Sequence, residues 1–97
     1  EAMRHAQACR RRFSEIAADA AFDVLLTPSA PGEAPAGTAS TGESLFNRNW
    51  TLLGLPCLTL PVGTGAAGLP IGVQLVADYD QDERLLRAAH WVRHALD

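Results

Sequence analysis

One stretch, residues 54–77, constrains the fold of this 97-residue chain more than any other part. It holds two apolar runs of β type, residues 57–62 and 71–76, and the eight residues between them include three glycines. Each run follows a Leu-Pro pair, and proline suits the start of a strand because it lacks a backbone N–H and favours extended geometry before it. The short, turn-rich connection predicts an antiparallel hairpin.

Both runs are almost continuous in Leu, Val, Ile and Cys, a pattern typical of strands that are covered on both faces. A chain of this size has little material for that purpose, since it buries only about 60–65% of its unfolded surface. Glu1 falls within a helical pattern and is not a methionine. We therefore expect a processed chain or a piece of a longer protein.

The spacing of apolar residues and the turn residues predict further elements on both sides of the hairpin. They are a helix over residues 1–21, a strand over 22–28, a loop over 29–43, a short helix over 44–54, two strands within 55–77 and a final helix over 80–96. Asp80 is the predicted cap of the final helix. The unit over residues 23–62 reads as strand, loop, helix and strand, which predicts two parallel strands with a right-handed crossover. We therefore expect one α/β segment with a small mixed sheet flanked by helices.

Composition excludes several classes of protein. A net charge of −3 argues against a general nucleic-acid binder, and no apolar run approaches the ~20 residues that a membrane span needs. No secretory signal pattern is present, and two cysteines are too few for a disulfide framework. These features predict a cytoplasmic protein with reduced thiols, no nucleic-acid partner and no membrane partner.

Three motifs resemble ligand sites but fit plainer explanations. The glycines at 63, 65 and 68 match a dinucleotide fingerprint, yet a strand follows them where the fingerprint needs a helix. The acids at 78, 80 and 82 lack the glycine of a calcium loop, so helix capping explains them better. His90 and His94 lie four residues apart, but neither the glutamate of a zinc-protease helix nor a third ligand is evident. We predict no cofactor and no metal.

This chain does not contain a complete set of residues for nucleophilic catalysis. Serines at 14, 29, 40 and 44 lie outside any nucleophile elbow. Serine–lysine chemistry is excluded because all eight basic residues are arginine and the chain contains no lysine. The residues themselves therefore predict no self-contained active site.

Three segments together resemble the C-terminal end of the amidase signature family. They are residues 23–28, residues 45–61 with Gly-Leu-Pro-x-x-Thr-Leu-Pro, and residues 68–76 with Gly-Leu-Pro-Ile-Gly-Val-Gln-Leu-Val. The order and spacing match from Phe22 onward. The resemblance implies that these strands join a larger mixed sheet of an amidase α/β fold, whose remaining helices would cover the second face.

The resemblance also implies an activity for the parent protein. The family hydrolyses or transfers carboxamides with a serine, a second serine on a cis peptide bond and a lysine, all in a region N-terminal to the part matched here. By this resemblance the Ser-Ser-Lys chemistry lies outside this chain, and the parent converts a small-molecule carboxamide to a carboxylate and ammonia without a cofactor. The partners implied are that substrate and the remainder of the amidase chain.

What the resemblance assigns to this segment is scaffold and one wall of the substrate pocket. Trp50, Phe46 and Asn47 are the candidates to line that wall, and core packing is the competing interpretation for Phe46 and Trp50. Members that act on transfer-RNA-bound substrates often carry Thr and Asn where this chain has Asn47 and Thr51. The difference favours a small-molecule amidase with an apolar wall that fits an aryl or acyl group.

A rival interpretation comes from a different class. A stand-alone α/β module could use the apolar faces of its strands to bind a partner or a second copy of itself, which would make it a homo-oligomer. An open reading frame that extends upstream into a glycine- and serine-rich stretch with a lysine would favour the enzyme.

Overall fold

The computed structural model describes residues 2–37, 42 and 47–96. The elements are α1 (Ala2–Ala20), β1 (Leu25–Pro28), α2 (Asn47–Leu53), β2 (Cys57–Thr64), β3 (Pro70–Val76) and α3 (Asp82–Leu96). Most of the second half of the predicted loop and the first residues of the predicted short helix lie outside the described residues. The α/β class is confirmed.

The three strands form one sheet in the order β1-β3-β2. Strand β3 pairs antiparallel with β2 through the predicted hairpin and antiparallel with β1 on its other edge. Strands β1 and β2 therefore run in the same direction, as the crossover predicts, but they are not neighbours. Both ladders are antiparallel, so the sheet differs from the mixed sheet that was expected. The reason is that β3 returns directly from β2 and offers its free edge to β1.

Strand β3 is buried on both faces, as its continuous apolar run predicts. On one face Leu75 packs with Ala77 and with Leu85 and Ala89 of α3. On the opposite face Val76 packs with residues from α1 and α2. Leu75 and Val76 are 1% and 0% exposed, which makes the central strand the core of the molecule.

Strand β2 is covered on one face only. Leu58 and Leu60 are half-buried against the α3 side, whereas Cys57, Thr59 and Pro61 are exposed. The expectation that helices outside this chain cover the second face of β2 stays a prediction, and within the chain that face is open. The physical reason is that α1 and α2 lie over the β1 and β3 end of the sheet and leave the rest of that face open.

Helix α3 begins later than predicted. Asp80 has a φ of 64° and precedes the helix, so it is not the cap. The carbonyl of Gln81 instead accepts the hydrogen bond from the Leu85 amide at 3.0 Å, which places the helix boundary at Gln81. The turn before it is held by Asp78, whose carboxylate accepts hydrogen bonds from Ser14 Oγ and the Tyr79 amide, both at 2.7 Å. Within residues 2–37, 42 and 47–96, no helix has the length and hydropathy that crossing a membrane requires.

Candidate substrate wall

The candidate wall is the sheet face on which α1 and α2 pack, and its centre is Trp50. This side chain is half-buried and lies against the cluster formed by Leu53, Leu55 and Val76. The Phe13 ring meets the Trp50 ring edge to face, with centroids 6.2 Å apart and an interplanar angle of 71°. Such a contact stabilises beyond simple area burial and fixes the orientation of the indole.

The indole N–H of Trp50 is buried and has no hydrogen-bond partner among the described residues. A buried donor without an acceptor costs about 1–3 kcal/mol, so tryptophan is a poor choice for a site that needs only apolar packing. The tryptophan N–H usually finds a partner when it is buried. Within the part of the chain that the structure describes, Trp50 thus presents an unpaired donor at this face of the sheet.

Of the three predicted site residues, only Trp50 has a side chain that the structure describes. Trp50 lies on α2 and faces the sheet through the contacts above. Asn47 is the first residue of α2, and its side chain is outside the described part of the chain. Phe46 lies entirely outside the described residues. Whether the three residues line one wall stays a prediction.

A second buried donor, which sequence reasoning missed, lies on the same face. Gln74 is only 4% exposed, and its Nε2 has no partner within the described ranges. Side chains alternate along a strand, so Gln74 shares its face with Val76 and hence with the Trp50 cluster. The feature of the sequence that could have identified it is that Gln74 is the one polar side chain inside the apolar run of residues 71–76.

Small polar side chains flank Gln74 in the neighbouring strands. Thr27 of β1 and Thr59 of β2 are both its register partners, and partners across a ladder share a face. Ser29 Oγ donates to Thr59 Oγ1 at 3.3 Å. These polar groups extend along the same face of the sheet, away from Trp50. The opposite face of the sheet, under α3, is apolar.

The long loop is tied to the hairpin beside this face. Both carboxylate oxygens of Glu33 accept backbone hydrogen bonds, from the Ala67 amide at 2.8 Å and from the Leu69 amide at 3.1 Å. A side chain at Gly65 would collide with the Glu33 carboxylate, so the close approach depends on glycine there. The glycine-rich motif therefore serves a hairpin that binds a carboxylate of its own chain.

Two grooves border α3, away from the wall. A groove of about 640 Å³ lies between the start of β1 and α3, with Asp23, Arg84, Arg87 and Trp91 in its lining. A smaller one of about 360 Å³ lies between β2 and the end of α3. Neither groove includes Trp50 or Gln74.

Neither titratable groups nor metal-ligating side chains among the described residues indicate further chemistry at this face. Cys57 is exposed as a residue, but partial burial of its thiol at the start of β2 raises the pKa of that group. No group of three or more His, Cys, Asp or Glu side chains in the described part of the chain is arranged to hold a metal ion. Ser14 and Ser29 donate to Asp78 and Thr59, so neither hydroxyl is directed at a histidine base in this arrangement.

Comparison with known proteins defines the class of protein to which this fold and face belong. The model of the Amidase family matches residues 1–86, and the chain therefore belongs to the amidase family. It is 43% identical over 77 residues to a glutamyl-tRNA(Gln) amidotransferase subunit from Neisseria meningitidis serogroup A, a match that covers 73% of this chain. The corresponding protein of Synechococcus sp. WH7803 is 40% identical over 89 residues, or 81% of this chain.

Solved structures share the fold of this chain. The corresponding glutamyl-tRNA(Gln) amidotransferase subunit from Thermotoga maritima superimposes with a TM-score of 0.72 over 88% of this chain, at 24% identity. The 6-aminohexanoate cyclic dimer hydrolase superimposes with a TM-score of 0.70 over 97% of this chain, at 25% identity. The chain covers 16% and 18% of the two sequence relatives and 20% and 23% of the two solved chains.

Proposed function

We propose that these 97 residues are the C-terminal scaffold and substrate wall of an amidase that hydrolyses a small-molecule carboxamide to a carboxylate and ammonia. The family match over residues 1–86 supports an amidase parent. The chain covers less than a quarter of each relative described above, which is consistent with most of the enzyme lying outside it. The partners proposed are the remainder of the amidase chain and the amide substrate, and the compartment proposed is the cytoplasm.

The nucleophile and base are proposed to lie outside this chain. In a Ser-Ser-Lys relay, a neutral lysine draws a proton through the bridging serine and so activates the nucleophilic serine. The absence of lysine from this sequence supports that division of labour. The role proposed for this segment is to orient the substrate. Holding a substrate in reactive geometry lowers the activation barrier of the reaction without any proton transfer from the wall.

The observation that carries the wall assignment is the buried indole N–H of Trp50, which has no hydrogen-bond partner among residues 2–37, 42 and 47–96. We propose that Trp50, Phe46 and Asn47 line the acyl side of the pocket, with the tryptophan supplying an apolar surface and one hydrogen-bond donor. An acyl or aryl group fits such a wall, since the edge-to-face contact with Phe13 already marks it as aromatic. Asn47 and Thr51 favour a small-molecule amide over a transfer-RNA-bound substrate.

The test uses the full-length amidase polypeptide that contains these residues and measures ammonia release from aliphatic and aryl amides. Trp50→Ala should raise KM for the preferred amide, because it removes the wall and hence binding. Trp50→Phe keeps an aromatic surface but removes the N–H, and it should show a smaller increase.

Trp91 provides the matched control in that assay. It lies on α3 with 72% of its surface exposed, far from the wall cluster, and Trp91→Ala should leave KM unchanged. Equal effects of Trp50→Ala and Trp91→Ala would contradict the wall assignment. A full-length protein that releases no ammonia from any amide would contradict the amidase assignment itself.

The second candidate function is a stand-alone interaction module, and the open face of β2 is the observation that favours it. Cys57, Thr59 and Pro61 are exposed on that face, where a partner or a second copy could pack. Intact mass under denaturing and native conditions separates the two proposals. A gene product far larger than 10.3 kDa supports the amidase segment, and a self-contained 10.3 kDa homo-oligomer supports the module.

A further inference from the structure

Gln74 interrupts the apolar pattern of the strand that forms the core. It lies in β3 beside the fully buried Leu75, and its own side chain is only 4% exposed. Its Nε2 has no hydrogen-bond partner within residues 2–37, 42 and 47–96. A buried donor without an acceptor destabilises a fold, and an apolar side chain of similar shape would avoid that loss. Residues that break such local rules are expected at functional positions.

The hydroxyl groups beside Gln74 are engaged with other partners. Thr27 and Thr59 are its register partners on the two neighbouring strands. Thr27 Oγ1 donates to the Pro28 carbonyl at 3.3 Å, and Thr59 Oγ1 accepts the hydrogen bond of Ser29 Oγ at 3.3 Å. Neither threonine pairs with Nε2, so this donor is left for an acceptor that the described part of the chain does not supply.

Gln74 lies between the proposed substrate wall and the open part of the sheet. Gln74 and Val76 are two residues apart on one strand, so they share a face and their Cα atoms are about 6.6 Å apart. Val76 belongs to the cluster on which Trp50 packs. Thr59, one strand away from Gln74 on the same face, is exposed, which marks the side from which a ligand can approach. An acyl group held against Trp50 therefore needs to extend along β3 by only about two residues to meet this donor.

We propose that Gln74 is a further substrate-binding residue, whose Nε2–H donates to an acceptor oxygen on the acyl group of the amide. The inference rests on the proposed amidase function and narrows its substrate class to amides whose acyl group carries a carbonyl or similar oxygen beyond its apolar part. Trp50 supplies the surface for the apolar part, and Gln74 selects the oxygen. An analogue without that oxygen leaves the buried donor unpaired, and sites of this kind discriminate strongly against such analogues.

The experiment measures kcat/KM of the full-length amidase polypeptide by ammonia release from two matched pairs of amides. The pairs are 4-oxopentanamide with pentanamide and 4-acetylbenzamide with 4-ethylbenzamide, and the members of each pair differ by a carbonyl in place of a methylene group. In the pair that it hydrolyses faster, the wild type should prefer the carbonyl-bearing member at least about tenfold. Gln74→Met should remove that preference while the melting temperature is kept or raised, because methionine has a similar shape and no donor.

A pH profile separates a contact with the substrate from a structural role. Gln74→Glu carries an O–H donor only while its carboxyl group is protonated. Its preference for the carbonyl-bearing amide should therefore be kept at low pH and lost as the pH rises through the pKa of that carboxyl group. The preference of the wild type should stay constant over the same range, because a carboxamide side chain does not titrate.

Gln7 provides the matched control, because it is exposed on α1 and Gln7→Met should leave the preference unchanged. Equal kcat/KM for both members of each pair, or a preference that survives Gln74→Met, would overturn the role of Gln74 and leave the amidase assignment intact. So would an enzyme that releases ammonia from other amides but from none of these four. A melting temperature that Gln74→Met lowers as much as Gln74→Ala would place the acceptor within the protein and overturn the inference too. A wild type that releases no ammonia from any amide would instead contradict the amidase assignment on which the inference rests.

Discussion

Arg10 donates a hydrogen bond from its Nε to the carbonyl oxygen of Leu53 at 2.8 Å. Leu53 is the last residue of α2, where backbone carbonyls lack helical partners and the helix dipole favours a positive charge. The same guanidinium lies over the Tyr79 ring, 4.2 Å from its centroid. One side chain of α1 therefore holds both the end of α2 and the turn before α3.

Removing that side chain should destabilise the chain. Hydrogen bonds to charged groups contribute about 1.5–3 kcal/mol, so Arg10→Ala should lower the free energy of unfolding by roughly 1–3 kcal/mol in urea denaturation. Arg10→Lys should recover only part of the loss, because an ammonium lacks the planar fork that serves both contacts. The neighbouring Arg11 is exposed, and Arg11→Ala should change stability by less than about 0.5 kcal/mol. Equal losses for Arg10→Ala and Arg11→Ala would contradict this role.

Gly72 is required by the packing between β3 and β2. A Cβ atom there would lie 2.7 Å from Thr59 Cγ2 and 3.1 Å from the Leu60 carbonyl oxygen. Gly72→Ala should therefore lower the free energy of unfolding by about 1–3 kcal/mol, the usual cost of overpacking. Thr59→Ser removes the nearer atom and should restore part of the loss in the double variant. Gly63→Ala is the control, because its Cβ would meet nothing within 4 Å.

The carboxylate of Glu33 should control the exchange of two specific amides. Glu33→Ala removes the acceptor of the Ala67 and Leu69 N–H groups, so both amides should exchange with deuterium faster in NMR-detected hydrogen exchange. The Gly65 amide donates to the Leu69 carbonyl at 2.9 Å and should exchange more slowly than those two. Protection of Ala67 and Leu69 that survives Glu33→Ala would show that the carboxylate does not hold the loop.

The Cys57 thiol should react more slowly than an ordinary thiol at the same pH. Burial raises its pKa above the usual 9.0, so a smaller fraction is thiolate at pH 8, and half-maximal alkylation by iodoacetamide should occur at a higher pH than in urea. The raised pKa also means that its contribution to stability is present below pH 9.0 and is lost as the pH rises through the folded-state value. Cys57→Ser should remove that dependence. Identical alkylation profiles for folded and unfolded chain would contradict the shift.

Replacing Gln74 should stabilise the chain. Its buried Nε2 lacks a partner in the described structure, and removing an unpaired buried donor with a similarly shaped apolar side chain is neutral or favourable. Gln74→Met should therefore keep or raise the melting temperature, whereas Gln74→Ala should lower it by leaving a cavity. A loss of more than about 1 kcal/mol in Gln74→Met would indicate that Nε2 has an acceptor in solution.

The sequence predicted the parts of this protein that depend on neighbours along the chain. The apolar runs before and after residues 63–69 predicted the antiparallel hairpin that the structure contains. Trp50 was singled out through the resemblance rather than through periodicity. That its N–H lacks a partner among the described residues was not predictable. Gln74 was overlooked, although it is the one polar side chain in a run whose pattern predicted a strand covered on both faces.

By itself, the sequence determined the α/β class and the absence of lysine from this chain, because these follow from residue types and local spacing. Its motifs also resembled the family that the family model then showed. Tertiary structure decided that β3 lies between β1 and β2, that the ladder between β1 and β3 is antiparallel, and that Arg10 and Glu33 hold elements far from them in sequence. The physical reason is that strand order and such contacts depend on which edges and faces meet in space. Local patterns of burial and hydrogen bonding are the same for several arrangements, and only the packing of the whole chain selects one.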